Sequence, residues 1–319
     1  MSARTMDLSF RAMGTDCMVV VTAGSADARR ARRALETGRD EVLACEAALS
    51  RFDPDSDLSR LNAVAGTWAP VGERLELALA AALRARVLTG GRFDPTVLPA
   101  LVAAGYDRSF ERLTPGPTRD AAHWRAGAAV QIDRRAHLAR IAAGAAVDLG
   151  GIAKGWAAGR AMARMANTWP GMLGGIVDLG GDMAVTGAAP SGNPWIIGVE
   201  DPRRAGTMLG TLSITGGGIA TSGRNRRRFG PGRTRHHIID PATGRPAVAG
   251  PLAVTVVAAR PEDAEAHATL LSMATPEEAA AHVARHVEVS AVMVPAEGSV
   301  VVLGRAPLTP MSTRMEVAS

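Results

Sequence analysis

The chain is poor in aromatic side chains: its 319 residues include five Phe, five Trp and one Tyr. Its one dense basic stretch, six arginines between Arg224 and Arg235, carries Phe229 as its only aromatic and a Gly-Pro-Gly turn in its middle. Non-specific binding of single-stranded nucleic acid uses a positive groove with several stacking aromatics, so a hairpin with solvated arginines is expected instead and nucleic acid is not an expected partner. Two cysteines, Cys17 and Cys45, stand at no metal-ligand spacing and are expected as buried thiols. No apolar run approaches the ~18 residues of a membrane helix, and the N-terminus lacks the roughly 7–15-residue apolar core of a signal peptide. Read with Met1 as its start, the chain is expected in the cytoplasm with no membrane anchor.

What remains is an ordinary globular composition, 47% hydrophobic and 21% charged. A chain of this length buries about three quarters of its unfolded surface and needs no disulfide staple. The net charge of +5 favours anionic ligands without naming one.

Strand and helix patterns alternate along the chain. Cys17–Thr22 reads as a buried strand and 26–49 as a helix. Ser50–Asn62 is a turn leading into a short helix, and 73–89 is an Ala/Leu-rich helix stopped by Gly90–Gly91. A Pro/Arg-rich connector over 112–119 suggests a lobe boundary near 112–128. A hairpin is expected over 129–141, helices over 262–274 and 276–286, and strands over 287–294 and 300–303. The last residues, about 308–319, read as a tail.

The pentapeptide Val-Asp-Leu-Gly-Gly occurs at 147–151 and again at 177–181. The first copy feeds a helical pattern and the second a short strand and turn, so the two are not structural repeats, which share their secondary structure. The first copy reads as a strand ending at Asp148, a glycine turn, and a helix from about Ile152 with Lys154 in its first turn. Helix N-termini offer unpaired N–H groups and partial positive charge, a place for phosphate, although Gly-Gly-Ile-Ala-Lys-Gly fits neither the P-loop nor the dinucleotide motif. The second copy sets Asp178 and Asp182 around a glycine pair, as ligand acceptors or as turn residues bonding their own backbone. In Arg235–Asp240, strand alternation puts His237 and Ile239 on one face and His236 and Ile238 on the other. Glu265 and Thr269 lie one helical turn apart and together offer the hard oxygen atoms Mg²⁺ prefers. Asp263 and His267 form a rival pair suited to a softer metal.

The segments RAMGTDCMV, LSRFDPDSDLSRLN, GRFDPTVLPALVAAGYD, AVDLGGIAKGWAAGRA, VDLGGDMAVTG, ATSG, HHIIDPATGRP and AEAHATLLSMA follow one another from about Ser9 to Gly304. In this order they resemble the ApbE-type flavin transferases (FAD:protein FMN transferases). The resemblance implies one α+β catalytic domain over 1–319, two-lobed, with mixed or antiparallel sheets flanked by helices and FAD in a cleft between the lobes. It implies that Met13, Phe52, Ala104, Gly105, Tyr106, Asp148, Lys154, Asp178 and Ile239 line the FAD site. It makes the Gly151 carbonyl, Glu265 and Thr269 the Mg²⁺ ligands. The implied reaction moves FMN from FAD to a threonine hydroxyl of a target protein and leaves AMP, with His237 and Asp240 activating or orienting the nucleophile. An FAD pyrophosphatase and a non-catalytic flavin binder are the alternatives. Three departures stand out: Glu265 and Asp178 where the family usually has Asp and Asn, and Arg224-Asn225 after the Thr-Ser-Gly.

Overall fold

The computed structural model describes residues 3–113, 124, 126–224, 228–229, 235–311 and 315–317. In chain order the elements begin with β1 (Arg4–Ala12), β2 (Thr15–Ala23), α1 (Ala28–Leu49), α2 (Asp57–Ala63), β3 (Ala69–Pro70), α3 (Glu73–Leu88) and α4 (Leu98–Ala103). They continue with β4 (Val130–Asp133), β5 (Leu138–Ile141), α5 (Ala153–Thr168), β6 (Gly174–Leu179), β7 (Met183–Gly187), β8 (Trp195–Glu200), β9 (Met208–Ile214) and β10 (Gly216–Gly223). Then follow β11 (Arg228–Phe229), β12 (Arg235–His236), β13 (Ile239–Asp240), β14 (Arg245–Pro246) and β15 (Ala253–Ala258). Last come α6 (Pro261–Leu271), α7 (Pro276–Arg285), β16 (Ser290–Val294), β17 (Val300–Leu303), β18 (Leu308–Pro310) and β19 (Met315–Val317).

The chain divides into two units, and the backbone passes between them four times. The first is Met1–Leu43, Lys154–Gly223 and Gly250–Ser319; the second is Ala44–Ala153 and Arg224–Ala249. None of these crossings falls at 112–128, and residues 114–123 and 125 of that connector lie outside the described residues.

In the first unit a nine-stranded sheet runs in the order β1-β2-β6-β7-β10-β15-β16-β17-β19. Neighbours are antiparallel except β17 and β19, which are parallel. The sheet and the helices beside it give the expected α+β class. β16 is buried along its whole length, and strand alternation divides its side chains between two cores. Ala291 and Met293 pack with Val254, Val256 and Leu271 beneath α6 and α7, whereas Val292 and Val294 pack with Val185, Ile219 and Leu212. A strand covered on both faces reads as a continuous apolar run, as Ser-Ala-Val-Met-Val does.

The segment read as a tail from about 308 instead pairs at sheet edges, β18 with β9 and β19 with β17. Its short Leu-Thr-Pro and Met-Glu-Val strands are held by backbone ladders, which leave almost no periodicity in so few residues.

Two glycines let α6 approach closely. A Cβ on Gly218 of β10 would lie 2.2 Å from the Pro261 Cα, and one on Gly155 of α5 would lie 2.5 Å from the Pro261 carbonyl oxygen. Pro261 opens α6 at a first-turn position, where its missing N–H costs nothing, and Glu262 and Asp263 follow beside the positive helix end. α7 starts with a capping box, Thr275 and Glu278 each bonding the other's backbone N–H.

The second unit holds α2, α3 and α4, the three-stranded sheet β3-β5-β4, and the hairpins β11-β12 and β13-β14. α3 ends as its glycine pair predicts, with Gly90 and Gly91 at φ 60° and 81° and the Gly91 N–H donating to the Arg86 carbonyl. Among the described residues no helix is long and apolar enough to cross a membrane. Cys17 and Cys45 are both buried, with Cys17 Sγ 3.5 Å from the Ala12 carbonyl oxygen.

Candidate functional site

The two Val-Asp-Leu-Gly-Gly copies fold differently. In the second, Gly180 and Gly181 take φ 73° and 97°, and the Leu179 N–H donates to the Asp182 carbonyl. Two successive positive-φ residues make the tight turn that joins twisted antiparallel strands, here β6 and β7. In the first copy the residues before the turn are not a strand, contrary to the sequence reading. Asn62 takes both backbone groups of Val147, accepting from its N–H at 2.7 Å and donating to its carbonyl at 2.9 Å. The Asp148 N–H donates to the Pro95 carbonyl. A side-chain amide thus supplies what a neighbouring strand would. Asp148 Oδ1 accepts from the Gly150 N–H, and α5 starts three residues after Gly150.

In the first unit, Lys154 is the focus of a compact charged cluster. It is the chain's only lysine. Its Nζ donates to Asp182 Oδ2, from the β6–β7 turn, and to Glu265 Oε1 of α6 at 2.9 Å. Glu265 Oε2 accepts from the Gly155 N–H at 2.7 Å, so the same carboxylate also caps the first turn of α5. Both carboxylates are buried, and Lys154 is 18% exposed. Two anions around one cation leave one unit of negative charge in excess. Thr269 follows one turn along α6 and is half-buried. Buried carboxylate oxygens with a hydroxyl nearby are the donor chemistry of a hard divalent cation, so these residues fit Mg²⁺. Gly151 belongs to the second unit, and its place among the ligands rests on the resemblance.

Asp178, at the end of β6, accepts from the Gly181 N–H at 2.7 Å. Burial pushes its carboxyl above the usual carboxylate range, opposed by the Gly181 and Gly180 N–H groups and by the Lys154 charge. Met13 sits with Gly14 in the β1–β2 turn, where φ of 51° and 69° gives a non-glycine residue the left-handed conformation.

The second unit gathers most of the predicted flavin residues. The Arg51 guanidinium lies 4.1 Å from the Phe52 ring centre and 4.7 Å from that of Tyr106, within cation–π range. Its Nε is 2.6 Å from Asp148 Oδ2 and its Nη2 donates to the Tyr106 carbonyl. Tyr106 stacks on Phe229 at 5.6 Å and meets the His237 ring edge-on at 6.4 Å. Ala104, Tyr106, Phe229 and Ile239 belong to one apolar core, and Gly105 turns the chain between them at φ 99°. Phe52 is 43% exposed and presents an open aromatic surface at the edge of this group.

The expected strand over Arg235–Asp240 breaks at His237, so strict alternation fails: His236, Ile238 and Ile239 are buried and His237 is half-buried. His236 is structural. Its Nε2 lies 2.8 Å from the Ala247 carbonyl oxygen and its Nδ1 accepts from the Ile238 N–H. Asp240 Oδ1 accepts from the Ala242 N–H, and its carbonyl from Thr243 and Gly244, so this aspartate shapes its own turn. The centre of the arginine run, 225–227 and 230–234, lies outside the described residues. His267, of the rival pair, has its Nδ1 2.9 Å from His282 Nε2 on α7.

Sequence reasoning missed two partnerships in these groups. Asp182 stood in the second glycine turn with no sign that it would meet a lysine 28 positions away. Arg51 adjoined the Phe52 motif but showed nothing to mark it as the partner of Asp148.

The sequence and the fold have counterparts in known proteins. The crystal structure of the ApbE protein of Thermotoga maritima superposes with a TM-score of 0.80 at 27% identity, over 93% of this chain and 96% of that one. The FAD:protein FMN transferase of Treponema pallidum is 34% identical over 278 residues, 81% of this chain and 75% of that protein. The Salmonella typhimurium protein of the same name is 32% identical over 261 residues, covering 79% and 73%. Residues 13–305 match the ApbE family. The chain belongs to that family.

Proposed function

We propose that this protein is a FAD:protein FMN transferase, which moves FMN from FAD to a threonine hydroxyl of another protein and releases AMP. The observation that carries the reading is the buried Lys154–Asp182–Glu265 cluster at the start of α5, in a chain whose relatives are named for this activity. The balance is simple. The threonine oxygen forms a new P–O bond to the FMN phosphorus, the pyrophosphate P–O bond to AMP breaks, and the hydroxyl proton passes to a base.

Phosphoryl transfer depends on positioning and charge neutralisation more than on covalent chemistry. Lys154 is the cation available to a phosphate oxygen, at a helix end that itself favours anions. Glu265, Thr269 and Asp182 would hold Mg²⁺, which when bound offsets the charge developing on the transferred phosphoryl group. In the second unit the Phe52–Tyr106 surface, backed by Arg51, supports stacking of an aromatic ring system, with Ala104, Gly105 and Ile239 as its apolar floor. On the first unit Met13 and Asp178 complete the residues assigned to FAD. His237, whose ring meets Tyr106 edge-on, is assigned as the proton acceptor. Asp240 is assigned a positioning role through the turn it shapes. Covalent flavin on an acceptor subunit, read after denaturation, tests the proposal.

A further inference from the structure

Outside the cluster at Lys154, three histidines and a glutamate converge where α6, α7 and the approach to β16 meet. The ring centres of His267, His282 and His286 lie 5.0 Å, 5.2 Å and 4.4 Å apart, pair by pair. One ligand atom each from His267, His286 and Glu288 falls within 4.8 Å of the others, and this is the one such group of three among the described residues. We infer that His267, His286 and Glu288 form a second metal site, selective for a borderline-soft divalent ion of the zinc type and separate in chemistry from the oxygen-donor Mg²⁺ site.

The donor set decides the metal class. Two imidazoles and one carboxylate suit Zn²⁺ and its neighbours, whereas Mg²⁺ takes oxygen ligands and keeps its waters. Three protein ligands leave a fourth tetrahedral position for water. Zn–N and Zn–O bonds of about 2.0–2.2 Å require the three ligand atoms to draw together by roughly an ångström. His286 and Glu288 can supply that movement, because they flank the end of α7 and are 21% and 54% exposed.

His282 is the positioning residue. Its Nε2 lies 2.9 Å from His267 Nδ1, the kind of second hydrogen bond that orients a metal-bound imidazole. The site would tie α7 to α6, the helix that carries Glu265 and Thr269.

The test uses the full chain and the metals alone. Co²⁺ should give the visible absorption of a tetrahedral nitrogen–oxygen site, displaced by Zn²⁺ and not by millimolar Mg²⁺. His286→Ala and Glu288→Gln change partly exposed side chains and leave the core intact; each should weaken Zn²⁺ binding by more than about 10-fold in calorimetry. Glu265→Ala should leave the Co²⁺ spectrum unchanged, which separates this site from the flavin chemistry. A wild-type protein that gives no tetrahedral Co²⁺ spectrum would overturn the inference. So would Zn²⁺ binding of equal strength in wild type, His286→Ala and Glu288→Gln.

Discussion

Lys154 and Glu265, 111 residues apart in the chain, meet at 2.9 Å, and the second oxygen of Glu265 binds the N–H of the residue after Lys154. One glutamate thereby fixes both the only lysine and the start of the helix that presents it. Lys154→Ala would leave Asp182 and Glu265 buried around no cation. Breaking a buried pair by removing one partner costs about 3–5 kcal/mol, so the urea midpoint in EDTA should fall well below that of wild type. Millimolar Mg²⁺ should restore part of the loss, because the remaining carboxylates suit it. A Lys154→Ala protein as stable as wild type in EDTA would contradict the cluster's role.

Asp178 sets a pH dependence. Its folded carboxyl titrates above the unfolded value of 3.8, because burial opposes the charge. The folded state therefore binds this proton more tightly, and stability falls as pH rises from about 4 through the folded pKa. Asp178→Asn keeps an acceptor for the Gly181 N–H and removes the charge. The variant should be more stable than wild type at pH 7, with the gap narrowing toward pH 3. Denaturation midpoints whose difference stays constant across that range would show that the carboxyl is not strained by burial.

The two histidines should separate cleanly. His236→Ala removes a buried ring that bonds the Ala247 carbonyl and should cost about 1–3 kcal/mol of stability. His237→Ala should leave the midpoint nearly unchanged and slow FMN transfer by about 10²–10⁴-fold, the usual contribution of a general base. Equal slowing by both variants, at a temperature where both are folded, would remove the distinction.

How far the sequence alone carried depended on where each signal sits. α3 was legible to within a residue because its Ala/Leu run and its glycine stop are local. The β6–β7 turn was legible for the same reason. β1 was not singled out, since Arg4–Ala12 is an edge strand with mixed side chains, held by its ladder to β2. The strand inferred before Asp148 failed because Asn62, 85 positions away, satisfies that backbone instead. The break at His237 also escaped, because alternation assumes one continuous strand. Of the candidate site, Glu265 and Thr269 could be paired by helical spacing. Arg51 and Asp182 could not, because each pairs with a residue from a distant segment.

The central claim is that this chain transfers FMN, and the direct measurement is covalent flavin on an acceptor. The full chain is incubated with FAD, Mg²⁺ and a flavoprotein subunit bearing an acceptor threonine. Flavin fluorescence of the denatured subunit and released AMP are then measured together. The account predicts covalent flavin on the subunit with one AMP for each flavin attached. Both should be lost in EDTA, absent when the acceptor threonine is replaced by Ala, and strongly reduced in Glu265→Ala. Intact FAD, or free FMN and AMP with no flavin bound to the subunit, would contradict it.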